Sequence, residues 1–138
     1  MLKQIKAVIV GYGNRGQVYA DYSLDRPEEF AVAAVVDPNE FKLEEAKKRY
    51  SLPSDKLFKS FAEFMKSGVD CDIVINATMD EIHYETAMQI LNGGYDMLIE
   101  KPIVPNKEEL FDIKRVAEEK GLKVFVCHVL RYTPFTRP

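Results

Sequence analysis

The chain has 138 residues, about one domain's length, and is 46% hydrophobic and 30% charged, with 7 Gly and 7 Pro. That composition is globular and argues against a disordered, collagen-like or disulfide-scaffold chain. Nineteen Lys+Arg against 22 Asp+Glu give a net charge of −3, which lends no support to a nucleic-acid or membrane-surface partner.

Strand-like and helix-like segments alternate from end to end. Ile5 to Val10 is a short β-branched run that stops at Gly11 and predicts the first strand. A helix is expected from Asn14 to Leu24, and Pro27 marks the loop after it. Phe30 to Val36 reads as the second strand, closed by Asp37-Pro38-Asn39. The next helix runs from Glu40 to Tyr50 with Leu43, Ala46 and Tyr50 on one face. Leu57-Phe58 is a short third strand. Ser60 with Glu63 three residues on is a capping-box pattern for a brief helix.

Asp72 to Asn76 reads as a fourth strand, with Ile73-Val74-Ile75 expected to be buried on both faces. Thr78 and Glu81 repeat the capping-box spacing ahead of a helix carrying Ala87, Ile90 and Leu91, which Gly93-Gly94 end. Met97-Leu98-Ile99 is the fifth strand. Asn106 is a good N-cap for a helix with Glu108 and Glu109 in its first turn and Leu110, Ile113 and Ala117 on its inner face. Lys123 to Val129 is the sixth strand. The pattern predicts an α/β fold: a doubly wound Rossmann sheet of six parallel strands, order 3-2-1-4-5-6. Residues 1–129 form the dinucleotide-binding domain in this reading, and 130–138 begin a connection.

No apolar stretch reaches the ~18 residues of a membrane span, and Met1 to Lys6 lack signal-peptide architecture. The expectation is a cytoplasmic protein with no membrane partner. Cys71 and Cys127 are too few for a disulfide framework and read as small buried thiols in a reducing compartment.

The first strand runs into Gly11-Tyr12-Gly13-Asn14-Arg15-Gly16, a GxGxxG set between a strand and a helix. Gly11 permits a tight turn, Gly13 lets a pyrophosphate approach the backbone, and Gly16 lets the helix pack closely. The helix N-terminus offers free N–H groups to phosphates. Asp37 lies 21 residues after Gly16 at a strand end, where an acid accepts hydrogen bonds from a ribose diol and repels a 2′-phosphate. The next four residues, Pro38, Asn39, Glu40 and Phe41, include no cation, which favours NAD over NADP. Asn76-Ala77-Thr78 ends the fourth strand at the switch point, with His83 on the helix beyond. Glu100-Lys101-Pro102 ends the fifth strand, and Cys127-His128 with Arg131-Tyr132 end the sixth. These ends share the carboxyl edge of the sheet, where ligands bind in open α/β folds.

These motifs resemble the N-terminal nucleotide-binding domain of the Gfo/Idh/MocA oxidoreductases, over essentially the whole chain. The resemblance implies a nicotinamide-dependent dehydrogenase acting on a CHOH group of a sugar, cyclitol or related polyol. It implies that Gly11 through Gly16, Asp37, Asn76, Ala77, Thr78, His83, Glu100, Lys101 and Arg131 hold the cofactor. Lys101 would act at the reacting hydroxyl; by its place at the same sheet edge, His128 is, besides His83, the in-chain base candidate. Met79 departs from the family, many members of which have proline there. Members continue into a second domain that carries substrate contacts, an Asp and His pair and usually the homo-oligomer interface. The chain therefore reads as a fragment of a longer enzyme, inactive alone. Some members use bound NAD transiently to cleave glycosidic bonds, and Gly-Asn-Arg-Gly does not exclude that. A stand-alone nucleotide-binding or redox-sensing module and an S-adenosylmethionine-dependent methyltransferase are the other readings.

Overall fold

A computed structural model describes residues 3–100 and 107–127. Its strands are β1 (Ile5–Val10), β2 (Phe30–Val36), β3 (Leu57–Phe58), β4 (Ile73–Asn76), β5 (Met97–Glu100) and β6 (Val124–Cys127). Between them lie α1 (Asn14–Asp25), α2 (Glu40–Arg49), α3 (Phe61–Ser67), α4 (His83–Asn92) and α5 (Lys107–Lys120). The six strands form one parallel sheet in the order β3-β2-β1-β4-β5-β6, the predicted topology. No described helix is long and apolar enough to cross a membrane.

The period-2 geometry of a strand explains how so short a sheet feeds two cores. On β1, Ala7 and Ile9 pack with Ala20 of α1 and with Leu43 and Ala46 of α2. The alternate residues Val8 and Val10 face the other layer, with Phe64 of α3, Ile90 and Leu91 of α4, and Ile113 and Val116 of α5. Phe64 is 1% exposed, and its ring lies 5.3–5.8 Å from those of Phe58, Phe61 and Tyr95. Burial of each such side chain contributes about 1.5–3 kcal/mol.

Local signals set the helix ends. The Asn39 side chain accepts from the N–H groups of Phe41 and Lys42 at 2.9 and 3.3 Å, and Lys47, Lys48 and Arg49 occupy the last turn of α2. Ser60 Oγ accepts from Glu63 N at 3.2 Å, as the capping box requires. The return arm differs, since Glu63 Oε2 accepts from Lys59 N, one residue earlier. Gly68 and Gly121 follow α3 and α5 at positive φ.

Four expectations need correction. The Thr78–Glu81 spacing is not a cap for α4. A 3-10 turn over Asp80–Ile82 intervenes, and Ile82 precedes the helix with no side-chain cap. Leu110 is 42% exposed, and Val116 takes the inner position beside Ile113 and Ala117. The buried stripe of α5 thus runs through Ile113, Val116 and Ala117, a helical 3–4 spacing that starts one turn after Leu110. Ile73 is only half-buried because it lies at the strand's entry, while Val74 and Ile75 are buried. Asp72 stays outside β4, its carboxylate bound to Lys6 N and Lys3 Nζ. The cap at Asn106 and the end of the sixth strand lie outside the described residues. Cys71 is half-buried and free, and burial, with Asp70 and Asp72 nearby, pushes its thiol up to about 11. The side chain of Cys127 is not among those described.

The two apolar positions should separate in a stability measurement. Phe64→Ala is expected to cost about 3–5 kcal/mol in urea unfolding, whereas Leu110→Ala should change stability by less than about 1 kcal/mol.

Candidate functional site

The site begins where β1 turns into α1. Gly11 has φ +91°, and its N–H donates to Val36 O at 2.8 Å, which holds the turn to β2. A Cβ there would lie 2.7 Å from the carbonyl oxygen of Ala77 and 3.0 Å from Thr78 N, so only glycine lets the tail of β4 come this close. At Gly16 a Cβ would lie 2.0 Å from Gly11 O. The close approach predicted for this glycine is thus to the turn's own carbonyl more than to the strand. Gly13 is different: a Cβ there meets nothing within 4 Å. Gly13 is the N-cap of α1, no side chain caps that end, and no acid occupies the first turn. The first-turn amides therefore carry the positive end of the helix dipole uncompensated, an arrangement suited to an anion.

Asp37 follows β2 directly and is 6% exposed. Its Oδ2 accepts from Tyr12 N at 2.8 Å, and its Oδ1 accepts from Asn39 N at 2.8 Å. Its own N–H donates to Phe58 O at 3.0 Å. The carboxylate therefore braces the glycine turn against the start of α2, while the backbone N–H of the same residue holds β3. Each oxygen keeps lone-pair capacity for a further donor.

Two side-chain networks flank the turn. In the first, the Tyr12 hydroxyl donates to the Tyr50 hydroxyl at 2.9 Å, and Tyr50 donates to Asp21 Oδ1 at 2.8 Å. Arg49 grips Asp21 with Nε and Nη2 at 2.7 and 2.9 Å. Burial raises both tyrosines, while Arg49 holds the Asp21 carboxyl below its ordinary value. In the second network, Arg15 Nε and the Tyr19 hydroxyl both donate to Glu100 Oε1, at 2.7 and 2.6 Å. The guanidinium also sits 5.3 Å from the Tyr19 ring centroid. The hydrogen bond to Glu100 pushes Arg15 further above its already high value. Nothing in the local sequence around Tyr19, Asp21 or Arg49 marks them, because their partners lie far away in the chain.

Asn76 is fully buried at the end of β4. Its Nδ2 donates to His83 O at 3.2 Å, and its Oδ1 accepts from the Thr78 hydroxyl at 2.6 Å. His83 is 1% exposed at the first position of α4.

Over the carboxyl ends of β1, β2 and β4 opens a cleft of about 510 Å³. Gly11, Gly13, Asp37, Ala77 and Thr78 line it together, as their strand-end positions predict. Tyr12, Asn76 and His83 lie buried behind this wall and brace it. Asn14 is exposed, and Arg15 with Glu100 forms a separate contact joining α1 to β5. Asn39, Lys42, Lys59, Met79 and Gln89 also line the cleft, though none was among the predicted site residues. Lys101, His128 and Arg131 fall outside the described residues. No cluster of metal-ligating side chains occurs among the described residues.

A sequence profile of the Gfo/Idh/MocA oxidoreductases, described as an oxidoreductase family with an NAD-binding Rossmann fold, matches residues 5–128. The chain belongs to this family. It is 30% identical over 128 residues to scyllo-inositol 2-dehydrogenase (NADP(+)) IolW of Bacillus subtilis, covering 93% of this chain and 34% of that protein. The chain thus spans about a third of the length of the curated relatives it matches. Its fold is also that of the apo scyllo-inositol dehydrogenase from Lactobacillus casei, with a TM-score of 0.84 at 24% identity over 96% of this chain and 39% of that one. The WlbA dehydrogenase of Bordetella pertussis, solved with NADH and UDP-GlcNAcA, superposes with a TM-score of 0.86 at 19% identity over 96% of this chain and 39% of its own. Among Gfo/Idh/MocA proteins, then, this chain is the NAD-binding Rossmann domain.

Two outcomes test the geometry without ligand. Gly16→Ala must push α1 away from Gly11 O, and urea unfolding should show a loss of about 1–3 kcal/mol or more. Gly13→Ala should stay within about 1 kcal/mol of the parent. The second outcome is a pH dependence. The Asp21 carboxyl is depressed in the folded state, so its link to Arg49 stabilises fully above the ordinary carboxylate range and is lost as pH falls through the lowered value. Asp21→Asn should therefore destabilise the protein at pH 7, and the difference from the parent should shrink toward pH 2.

Proposed function

We propose that this domain binds NAD across the carboxyl edge of its sheet and serves a dehydrogenase that acts on a CHOH group of a sugar, cyclitol or related polyol. One observation carries the binding reading. Gly13, with open space where a side chain would be, stands at an uncapped helix N-terminus inside a cleft that Asp37, Ala77 and Thr78 also line. In this reading the α1 amides and the Gly11–Gly16 backbone hold the pyrophosphate. The unused lone pairs of Asp37 take ribose hydroxyls. Ala77 and Thr78 offer small side chains at the switch point. Tyr12, Asn76 and His83 act from behind the wall, and Arg15 and Glu100 from the α1–β5 contact.

The charge of Asp37 disfavours a 2′-phosphate, which supports NAD over NADP. IolW is named as an NADP(+) enzyme, so the two cofactors must be compared directly. A bound nicotinamide dinucleotide supplies a hydride acceptor or donor. The protein's part is to orient it and to manage the hydroxyl proton. Family resemblance assigns that proton to Lys101, with His128 as a second base candidate and Arg131 as a cofactor contact. Glu100, the residue before Lys101 in the sequence, is anchored to α1 through Arg15 and Tyr19, which fixes the end of β5. Residues 1–129 form the binding domain in this proposal, and 130–138 lead toward a substrate domain. The inositol and UDP-GlcNAcA of the named relatives make polyhydroxylated rings the substrate class to try first.

Calorimetric titration of the chain with NAD, NADP and S-adenosylmethionine tests the reading. NAD should bind, NADP more weakly, and S-adenosylmethionine not at all. Binding of S-adenosylmethionine without NAD would overturn it. Asp37→Ala should weaken NAD and narrow the preference, with unfolding curves recorded alongside because the same carboxylate braces the turn.

A further inference from the structure

Lys59 follows Phe58, whose carbonyl accepts from Asp37 N at 3.0 Å, so the β2–β3 pairing sets this lysine beside the aspartate. Lys59 lines the same cleft as Asp37 and Asn39. Its ammonium is paired with the carboxylate of Glu40, the first residue of α2, which does not itself line the cleft. Both side chains are well exposed, at 55% and 72%, so the pair sits on the rim and not in the core. We propose that Glu40 sets the discrimination between NAD and NADP by holding Lys59, a ready-made ligand for a 2′-phosphate, away from that role. The inference rests on the NAD reading above and adds a specificity residue outside the cleft to it.

The charges around Lys59 make the argument. Asp37 repels a phosphate from one side of this corner. Glu63 takes the Lys59 backbone N–H at 3.2 Å and adds a second negative group. Lys42 lines the same wall and offers a cation, but it is present in every variant considered and cancels in the comparison. Lys59 is thus the cation whose availability a single neighbour controls. While Glu40 holds it, a 2′-phosphate must break the pair to recruit it. Exposed ion pairs are weak and salt-sensitive, so the pair biases the choice without locking it. Glu40 and Lys59 each support the other's charged form, which keeps the pair intact across the neutral range.

The test is a double-mutant cycle read as affinity for NAD and for NADP. Wild type, Glu40→Gln, Lys59→Ala and the double variant are titrated with both dinucleotides at low and at 0.5 M salt, the latter on the order of a few ångströms of screening length. Glutamine keeps the shape at the start of α2 and removes the charge. Glu40→Gln should tighten NADP about two- to fivefold and leave the affinity for NAD essentially unchanged. In the Lys59→Ala background the same substitution should give no such gain, and high salt should erase it. A ratio that does not move in Glu40→Gln overturns the inference. So does a gain that persists without Lys59, because the effect would then be bulk charge alone. If the wild-type chain fails to bind NAD, the binding reading itself falls. Intact NAD binding with an unchanged ratio removes only the role given to Glu40. Both residues are exposed, and matching unfolding midpoints for all four proteins keep the comparison one of binding.

Discussion

The approach of α1 to the carbonyl of Gly11 is the constraint on which the rest of this edge depends. With 2.0 Å between that oxygen and the place a Gly16 Cβ would take, α1 can lie this close to the turn only because residue 16 is glycine. Its position then fixes three things at once. Gly13 at the head of α1 lines the cleft together with Val10 at the end of β1 and Ala77 just after β4. Arg15 and Tyr19 come within reach of Glu100 on β5. Asp21 comes within reach of Tyr50 and Arg49 at the end of α2. One missing side chain thus connects the turn to both flanks of the sheet.

Asp37 supplies the complementary constraint from β2. Its carboxylate carries one turn amide and one α2 amide, so it aligns the glycine turn with the neighbouring helix before any ligand contact is considered. Charge-assisted bonds of this kind are worth about 1.5–3 kcal/mol each when formed to charged groups. The residue proposed for ribose recognition is therefore also a structural one, and the two roles would share the same carboxylate. That sharing is possible because each carboxylate oxygen has two acceptor sites and the brace uses one of them.

The fold was legible because its signals are local and repeated. Short apolar runs of the β1 and β4 kind mark buried parallel strands, and Asn39, Ser60 and the glycines after the helices mark their ends. The glycine turn and Asp37 were legible for the same reason, as a spacing along one stretch of chain. What stayed hidden depends on separation in sequence. The partners of Tyr12 and Glu100 lie 38 and 81 residues away from them, and no periodicity reports such pairs. The start of α4 was misplaced because Thr78 satisfies the cap spacing, yet its hydroxyl turns back to donate to Asn76 Oδ1 and a 3-10 turn precedes the helix. A side chain that can bond locally competes with the cap it resembles. Leu110 was placed inside by its spacing, which gives the helical face but not how far along the helix that face is covered.

The polar side chains around the turn are spent on the protein itself, and that has a consequence for binding. Tyr12 is held by its backbone to Asp37 and by its hydroxyl to Tyr50, whose own hydroxyl is held by Asp21. The ring of Tyr12 also meets that of Tyr50 edge-on at 5.9 Å. A loop fixed in this way loses little further freedom when an anion arrives, which removes an ordering cost of about 0.5–1.5 kcal/mol for each side chain that would otherwise be immobilised. The donors left for the anion are backbone amides, which need no rotamer change and carry no charge to be desolvated. In the proposed complex a braced turn and an exposed rim divide the work: the buried network would set how well a pyrophosphate is held, and the exposed Glu40–Lys59 pair would alter which dinucleotide is preferred without disturbing it.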